Sequence, residues 1–505
     1  MNSAGVENAD TRITIELPDE AATVSLAEDI ATGLAAGDLV ALRGGLGVGK
    51  TTLARALIRA LAGDATLEVP SPTFTLVQTY ATPRLTVAHF DLYRLAAAGE
   101  IDELGLAEAL EDGAVLIEWP ERAGDHLPLT GFDVALEVSG QGRRATIAGA
   151  GAAWQRFARA RAARTFLDNG GWRGATRRHL QGDASRRRYE RVARDGRGAV
   201  LMDWPPAGQL APDDPRARFR ARDARAFVAV DAALRGLGLS APVIFAADTE
   251  AGFALIEDLG EPGLSVGRAP SPERYAAAID VLAAIHAAPR PDVIPLPDGT
   301  QYSLPRLAGE ALRVELTGFV AAYVPMATGS AMTPQAERDF EGVWTRLIAE
   351  LDATERSWVL FDVQSPNLFW LPERDGLARV GLIDSQDMFV GPSAYDVASL
   401  CLDARVTVPV ALEAALRGRY VSARLAGDAA FDVAGFGRAY AISAASRTLK
   451  NLGAFARLIL GGNDSYVRHL PRMREYLDRI LPEPVLSDLA VWYDRYLTSR
   501  AQAQE

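Results

Sequence analysis

The chain has 505 residues, is 49% apolar and 23% charged, and carries a formal net charge of −12. That length exceeds one ordinary core, so two or three domains are expected. One cysteine, Cys401, excludes an internal disulfide framework and a cysteine-based metal site, and it fits a reducing cytoplasm.

The N-terminus shows no basic-then-apolar leader and no apolar run reaches membrane-spanning length, so a cytoplasmic protein without a membrane partner is expected. Charge is unevenly placed: residues 1–150 hold 10 Lys+Arg against 22 Asp+Glu, and the remainder holds 43 of each. So acidic a segment is poorly suited to grip RNA directly, because phosphate neutralisation needs basic surface.

The apolar run Leu39–Leu42 predicts a buried strand, and Leu53–Leu61 has helical spacing. Between them Gly44-Gly45-Leu46-Gly47-Val48-Gly49-Lys50-Thr51-Thr52 fits the phosphate-loop pattern G-x-x-x-x-G-K-[ST]. Its glycines would turn backbone N–H groups onto phosphates at a helix N-terminus, with Lys50 reaching the β- and γ-phosphates and Thr51 holding Mg²⁺. The chain has only two lysines, Lys50 and Lys450, so a lysine kept at position 50 suggests that a compact ammonium is required there.

Next, Ser71-Pro72-Thr73-Phe74-Thr75 reads as a stiffened loop whose hydroxyls could sense a γ-phosphate. Strands are predicted at 85–90 and 114–117. Each delivers an acid at its end, Asp91 in His89-Phe90-Asp91 and Glu118 in Ile117-Glu118-Trp119, with His89 read as a packed strand residue. Glycines between 140 and 153 mark a boundary, giving a P-loop ATPase domain over 1–150, a linker over 151–164 and a second domain over 165–505. Residues 156–197 carry 13 arginines against four acids, read either as a nucleic-acid patch or, better, as a solvated helix face and linker.

Beyond residue 200 a short β-rich stretch gives way to long helical patterns. Asp362 and Asn367 stand five apart in Asp362-Val363-Gln364-Ser365-Pro366-Asn367, matching a D-x-x-x-x-N catalytic loop. The strand Val380–Ile383 then delivers Asp384. In that pattern Asp362 takes the substrate hydroxyl proton while Asn367 and Asp384 hold Mg²⁺ on the phosphates of ATP. Glu257, in Ile256-Glu257-Asp258-Leu259-Gly260, is placed beside the adenine; His286 reads as helix-packed, and Asp387 and Asp396 as candidate supports of the metal loop.

From Leu17-Pro18-Asp19-Glu20 to Arg143, the first segment resembles the small ATPase subunit of the bacterial machinery for threonylcarbamoyladenosine in tRNA. The resemblance implies that Glu20 and Arg143 flank the nucleotide and Leu46 to Thr51 cradle phosphates. It also implies that Thr51 and Glu118 coordinate Mg²⁺, that Asp91 assists metal or water, and that Thr73 lies in the switch-like loop. Partner subunits of the threonylcarbamoyl transferase complex would carry the tRNA chemistry, so tRNA would be met only indirectly.

Residues 165–500 resemble the aminoglycoside phosphotransferase-like kinases, most of all the anomeric N-acetylmuramate and N-acetylglucosamine kinase branch. The match rests on the loop above and on Gly182-Asp183-Ala184-Ser185-Arg186-Arg187-Arg188-Tyr189, Met202-Asp203-Trp204-Pro205-Pro206 and Gly391-Pro392-Ser393-Ala394-Tyr395-Asp396. Leu360-Phe361 replaces the family's His-Arg or His-Gly before the catalytic Asp, and Ser385 follows the metal-binding Asp. Two readings stand: an amino-sugar phosphotransferase, or a non-catalytic scaffolding domain. The expected fold is α/β, an N-terminal P-loop NTPase with a parallel-type sheet followed by a two-lobed kinase-like α+β domain.

Overall fold

The structure, a computed structural model, describes residues 11–128, 131–180, 187–206, 214–261, 263–267, 269–307 and 309–498. Residues 182–186 of the motif expected at 182–189 lie outside the described residues. The chain packs as two compact units, Met1–Trp204 with Phe245–Asp248 and Phe253–Glu257, and Pro205–Ile244 with Thr249–Gly252 and Asp258–Glu505.

The first unit opens with β1 (Thr11–Leu17), α1 (Glu20–Gly33), β2 (Leu39–Arg43), α2 (Lys50–Ala62), β3 (Val77–Ala81) and β4 (Thr86–Asp91). Two short helices, α3 (Glu100–Glu103) and α4 (Leu106–Asp112), precede β5 (Gly113–Glu118), β6 (Gly131–Ser139) and β7 (Gly142–Gly149). The sheet order is β1-β7-β6-β2-β5-β4-β3. Strands β6, β2, β5 and β4 run parallel, and antiparallel pairings close both flanks. The parallel centre is what a strand–loop–helix phosphate site requires, since the loop leaves the carboxyl end of a central strand. Register sets Asp91 opposite Glu118, so both acids emerge beside β2, whose end opens into the glycine loop.

Residues 151–164, expected to form a linker, are the body of a long helix, α5 (Gly151–Asn169), packed along α1. A five-stranded sheet follows, ordered β11-β12-β10-β9-β8 from β8 (Thr176–Leu180), β9 (Arg188–Arg194), β10 (Arg197–Asp203), β11 (Ile244–Asp248) and β12 (Phe253–Ile256). Several arginines of the stretch expected to be a solvated face and linker instead turn inward as ion pairs. Fully buried Asp29 of α1 accepts from Arg161 at 2.7 Å, Arg164 at 3.1 Å and Arg177 at 2.8 Å. Arg164 also reaches Glu28 at 2.8 Å, Arg177 clasps Glu190 at 2.7 and 2.9 Å, and Arg156 bonds Asp38 at 2.6 Å. Carboxylates this deeply buried need partners, and the planar guanidinium supplies several donors to each.

In the second unit α6 (Ala224–Gly236), the hairpins β13 (Ser265–Val266)–β14 (Ala269–Pro270) and β15 (Val293–Pro295)–β16 (Gln301–Ser303), and α7 (Pro272–Ala287) lead to α8 (Glu310–Gly318), α9 (Val324–Thr328) and α10 (Pro334–Asp352). Strands β17 (Arg356–Val359), β18 (Leu368–Trp370), β19 (Val380–Leu382) and β20 (Phe389–Pro392) pair as β17–β20 and β18–β19. Helices α11 (Ala394–Cys401), α12 (Val410–Gly427), α13 (Val433–Leu460), α14 (Leu470–Ile480) and α15 (Ser487–Tyr493) complete it. The 28-residue α13 runs through the core, with Phe436, Tyr440, Leu449 and Leu452 among its buried side chains. A sheet lobe followed by a helical lobe gives the expected kinase-like α+β plan.

Candidate active sites

In the first unit the glycine loop joins β2 to α2 as expected. Gly49 has φ 113°, and a Cβ on Gly44 would lie 2.5 Å from the Leu136 carbonyl oxygen, so side chains are barred at both turns. Gly45, Leu46 and Gly47 are exposed, whereas Val48 is buried. Lys50 is 5% exposed; its Nζ donates to the Gly44 and Gly45 carbonyls at 2.8 and 3.0 Å and lies 3.5 Å from the centre of the Trp119 ring. Burial pulls its pKa below the ordinary lysine value, against the attraction of Glu118, Glu121 and Asp91.

Thr51 Oγ1 donates to Glu118 Oε2 at 2.9 Å, and buried His89 Nε2 lies 3.0 Å from Glu118 Oε1. His89 is therefore the packed strand residue expected, but one that fixes a site carboxylate. Asp91 accepts from Ser71 at 2.5 Å and Thr73 at 2.7 Å, which ties the Ser71–Thr75 loop to the end of β4. A cavity of about 270 Å³ adjoins the loop, lined by Glu20, Val48, Gly49, Thr52 and Arg143 among others. Arg143 Nε donates to the Val48 carbonyl at 2.8 Å. Thus Glu20, Thr52 and Arg143, far apart in sequence, meet at one cavity beside the glycine loop.

Glu257 directly follows β12 in the first unit. The remaining expected residues lie in the second unit. Asn367 ends the loop that begins β18, and Asp384 follows β19, which pairs antiparallel with β18. Ile383 N donates to Asn367 O at 3.1 Å, so the two polar side chains leave adjoining strand ends. Asn367 Nδ2 donates to the Asp362 backbone carbonyl at 2.9 Å, which joins the two residues in one turn.

The catalytic-type loop is held from below by two buried carboxylates. Asp396 accepts from Leu360 N at 2.7 Å and Phe361 N at 2.9 Å, and Asp403 accepts from Ser365 N at 2.7 Å. His286 Nδ1 lies 2.9 Å from the Tyr420 hydroxyl and its Nε2 lies 3.5 Å from Asp396, so it is helix-packed as expected. Asp387 accepts from Ala221 N at 2.7 Å and from Arg220 at 3.1 Å.

Sequence reasoning missed the cations around Asp362. Arg447 Nη1 lies 3.2 Å and Lys450 Nζ 3.4 Å from Asp362 Oδ1, both reaching over from α13. Glu315 of α8 pairs with Arg220 at 3.0 Å and Lys450 at 3.8 Å. Burial would raise the Asp362 carboxyl, but Lys450, Arg447 and Arg220 outweigh it and hold the group well below the usual carboxylate range. The one available signal was the rarity of lysine, which marks Lys450 as plainly as Lys50.

A glycine loop between strand and helix, and a kinase-like D-x-x-x-x-N loop followed by Asp384, define a chain built from two phosphate-handling folds. Accordingly, the chain belongs to the Phosphotransferase enzyme family, whose profile matches residues 176–439, and its first part to the family described as Threonylcarbamoyl adenosine biosynthesis protein TsaE, matching residues 17–146. The N-acetylmuramate/N-acetylglucosamine kinase of Caulobacter vibrioides is 37% identical over 351 residues, covering 66% of this chain and 95% of that one. The Pseudomonas putida protein of the same description is 30% identical over 315 residues, 61% of this chain and 84% of its own length. The Rickettsia felis tRNA threonylcarbamoyladenosine biosynthesis protein TsaE is 43% identical over 128 residues, 25% of this chain and 74% of that one.

Proposed function

We propose that the chain is a bifunctional ATP-using enzyme. Its first domain is the ATPase that supports threonylcarbamoyladenosine formation at position 37 of tRNA with partner subunits. Its second domain transfers the γ-phosphoryl group of ATP to an amino sugar such as N-acetylmuramate or N-acetylglucosamine. The observation that carries the second half is Asp362, met by Arg447 and Lys450 and borne on a loop clamped by Asp396 and Asp403.

Both sites fit Mg²⁺, which takes one or two carboxylates beside substrate phosphates. Thr51 and Glu118 present hard oxygens within 2.9 Å of one another, and Asp384 with Asn367 offers another carboxylate and amide oxygen pair at adjoining strand ends. Bound there, the ion neutralises charge on the phosphates. In the first domain Lys50 and the loop N–H groups hold the β- and γ-phosphates, Glu20 and Arg143 border the nucleoside, and Asp91 orients water beside Thr73. Gly45 to Thr52 thus contribute backbone and hydroxyl donors, and Glu257 would border adenine in the second domain.

In the second domain the sugar hydroxyl oxygen bonds to the γ-phosphorus as the bond to the ADP oxygen breaks. Asp362 orients that hydroxyl and takes its proton late, as a loose transition state allows. What favours this reading over the scaffold is that Asn367 bonds to the Asp362 carbonyl while Arg447 and Lys450 meet its carboxylate.

The test is ADP release by Lys50→Ala protein, in which only the second domain can turn over. Sugar-stimulated release is expected, and adding Asp362→Asn should lower it by about 10³-fold or more. No sugar-dependent release from folded Lys50→Ala protein would refute the kinase reading. Separately, Lys50→Ala should abolish support of tRNA threonylcarbamoylation by purified partner subunits; retained support would refute the first half.

A further inference from the structure

Lys450 is one of two lysines among 53 basic residues, and it lies on α13, 88 residues beyond the loop it touches. Its side chain is 12% exposed, and Nζ stands 3.8 Å from the centre of the Phe361 ring, 3.4 Å from Asp362 and 3.8 Å from Glu315. The charged groups facing it are Asp362 from the loop, Glu315 from α8, Arg220 from the segment before α6 and Arg447 from one turn earlier on α13. Two aspects of this arrangement bear on phosphoryl transfer.

Both cationic contacts to Asp362 fall on Oδ1, while the carboxylate as a whole remains 28% exposed. The Arg447 nitrogen is shared with the Phe361 carbonyl at 2.8 Å, so it cannot swing freely onto the second oxygen. A guanidinium at position 450 would tend to engage a carboxylate through two parallel bonds and occupy both oxygens. An ammonium is a point donor and takes one.

We propose that Lys450 is a positioning residue for phosphoryl transfer: with Arg447 it pins Asp362 through Oδ1, leaving Oδ2 to meet the substrate hydroxyl. The inference rests on the phosphotransferase reading, and it explains why lysine stands here in a chain that otherwise uses arginine. Burial, helped by Arg220 and Arg447, pulls its pKa down to about 8 against the attraction of Asp362 and Glu315.

The test uses the full chain carrying Lys50→Arg, which leaves Lys450 as its one lysine. Sugar-dependent turnover should fall on the order of 10²-fold in kcat for Lys450→Met, with KM for ATP within twofold. Lys450→Arg should not restore it, because the fork captures both oxygens; a merely structural cation would be rescued by arginine. A kcat within threefold in either variant overturns the proposal. Independently of turnover, [13Cε]lysine labelling of the same chain gives one side-chain signal from Lys450. It should titrate near pH 8 and shift to lower pH in Asp362→Asn; titration in the ordinary lysine range, or no response to Asp362→Asn, overturns the proposal even if no sugar is turned over. Absence of turnover in the Lys50→Arg chain with a coupled Lys450 titration would instead refute the kinase reading alone and uphold the pinning of Asp362.

Discussion

Lys450 should make the second domain less stable than it could be. Its folded pKa of about 8 lies below the ordinary lysine value, so the unfolded chain binds the proton more tightly. The cost is therefore present in full below pH 8 and fades as pH rises toward the unfolded pKa. Stability measured by urea unfolding is therefore expected to rise as pH goes from about 8 toward 10.5, and Lys450→Met should abolish that rise. Neighbouring Phe361 was legible only as a departure from the family's His-Gly or His-Arg. Its φ of 75° shows why glycine suits that position, and its ring, stacked on Tyr395 at 5.2 Å, shows what holds the strain here. The amides of this loop are held by Asp396 and Asp403, which lie 35 to 38 residues downstream of them. Motifs contiguous in sequence were readable and Asp396 was marked as a candidate support, whereas Asp403, Arg447 and Lys450, supplied across the fold, were not.

At the scale of elements, α5 and β8 show how composition can mislead. Thirteen arginines in a short span look like surface or a nucleic-acid grip, yet those at 156, 161, 164 and 177 meet acids of the first domain. Pattern alone cannot distinguish these cases, because an arginine's partner lies over a hundred residues away, as Arg177 lies 148 from Asp29. Asp29→Ala should leave three guanidiniums short of a buried acceptor and cost about 3–5 kcal/mol, read as a lowered unfolding midpoint of the first unit. Trypsin offers a second check. An extended linker would be cut after Arg156, Arg159, Arg161 or Arg164, whereas the α5 helix should protect all four bonds until the unit unfolds. By contrast, β2, β4 and β5 were readable from apolar runs, since buried parallel strands leave little room for polar residues.

For the molecule as a whole, the acidic first domain is partly balanced from beyond its boundary, as arginines of α5 and β8 neutralise Glu28, Asp29 and Asp38. What remains at its surface is still acidic, so the chain alone should show no salt-dependent binding of tRNA at physiological ionic strength, checked by fluorescence polarisation. Binding is expected only once partner subunits are added. Among the described residues no helix is long and apolar enough to cross a membrane. The scarcity of lysine has a practical side as well. Lys50 is buried and the Lys450 side chain is 12% exposed, so the chain presents no freely exposed ε-amine. Amine-directed crosslinkers, dyes and surface-coupling chemistries would find no lysine handle on the outside of this protein. Any lysine they did modify would lie in one of its two phosphate-handling domains, so ATP protection against such a reagent could report on each domain separately.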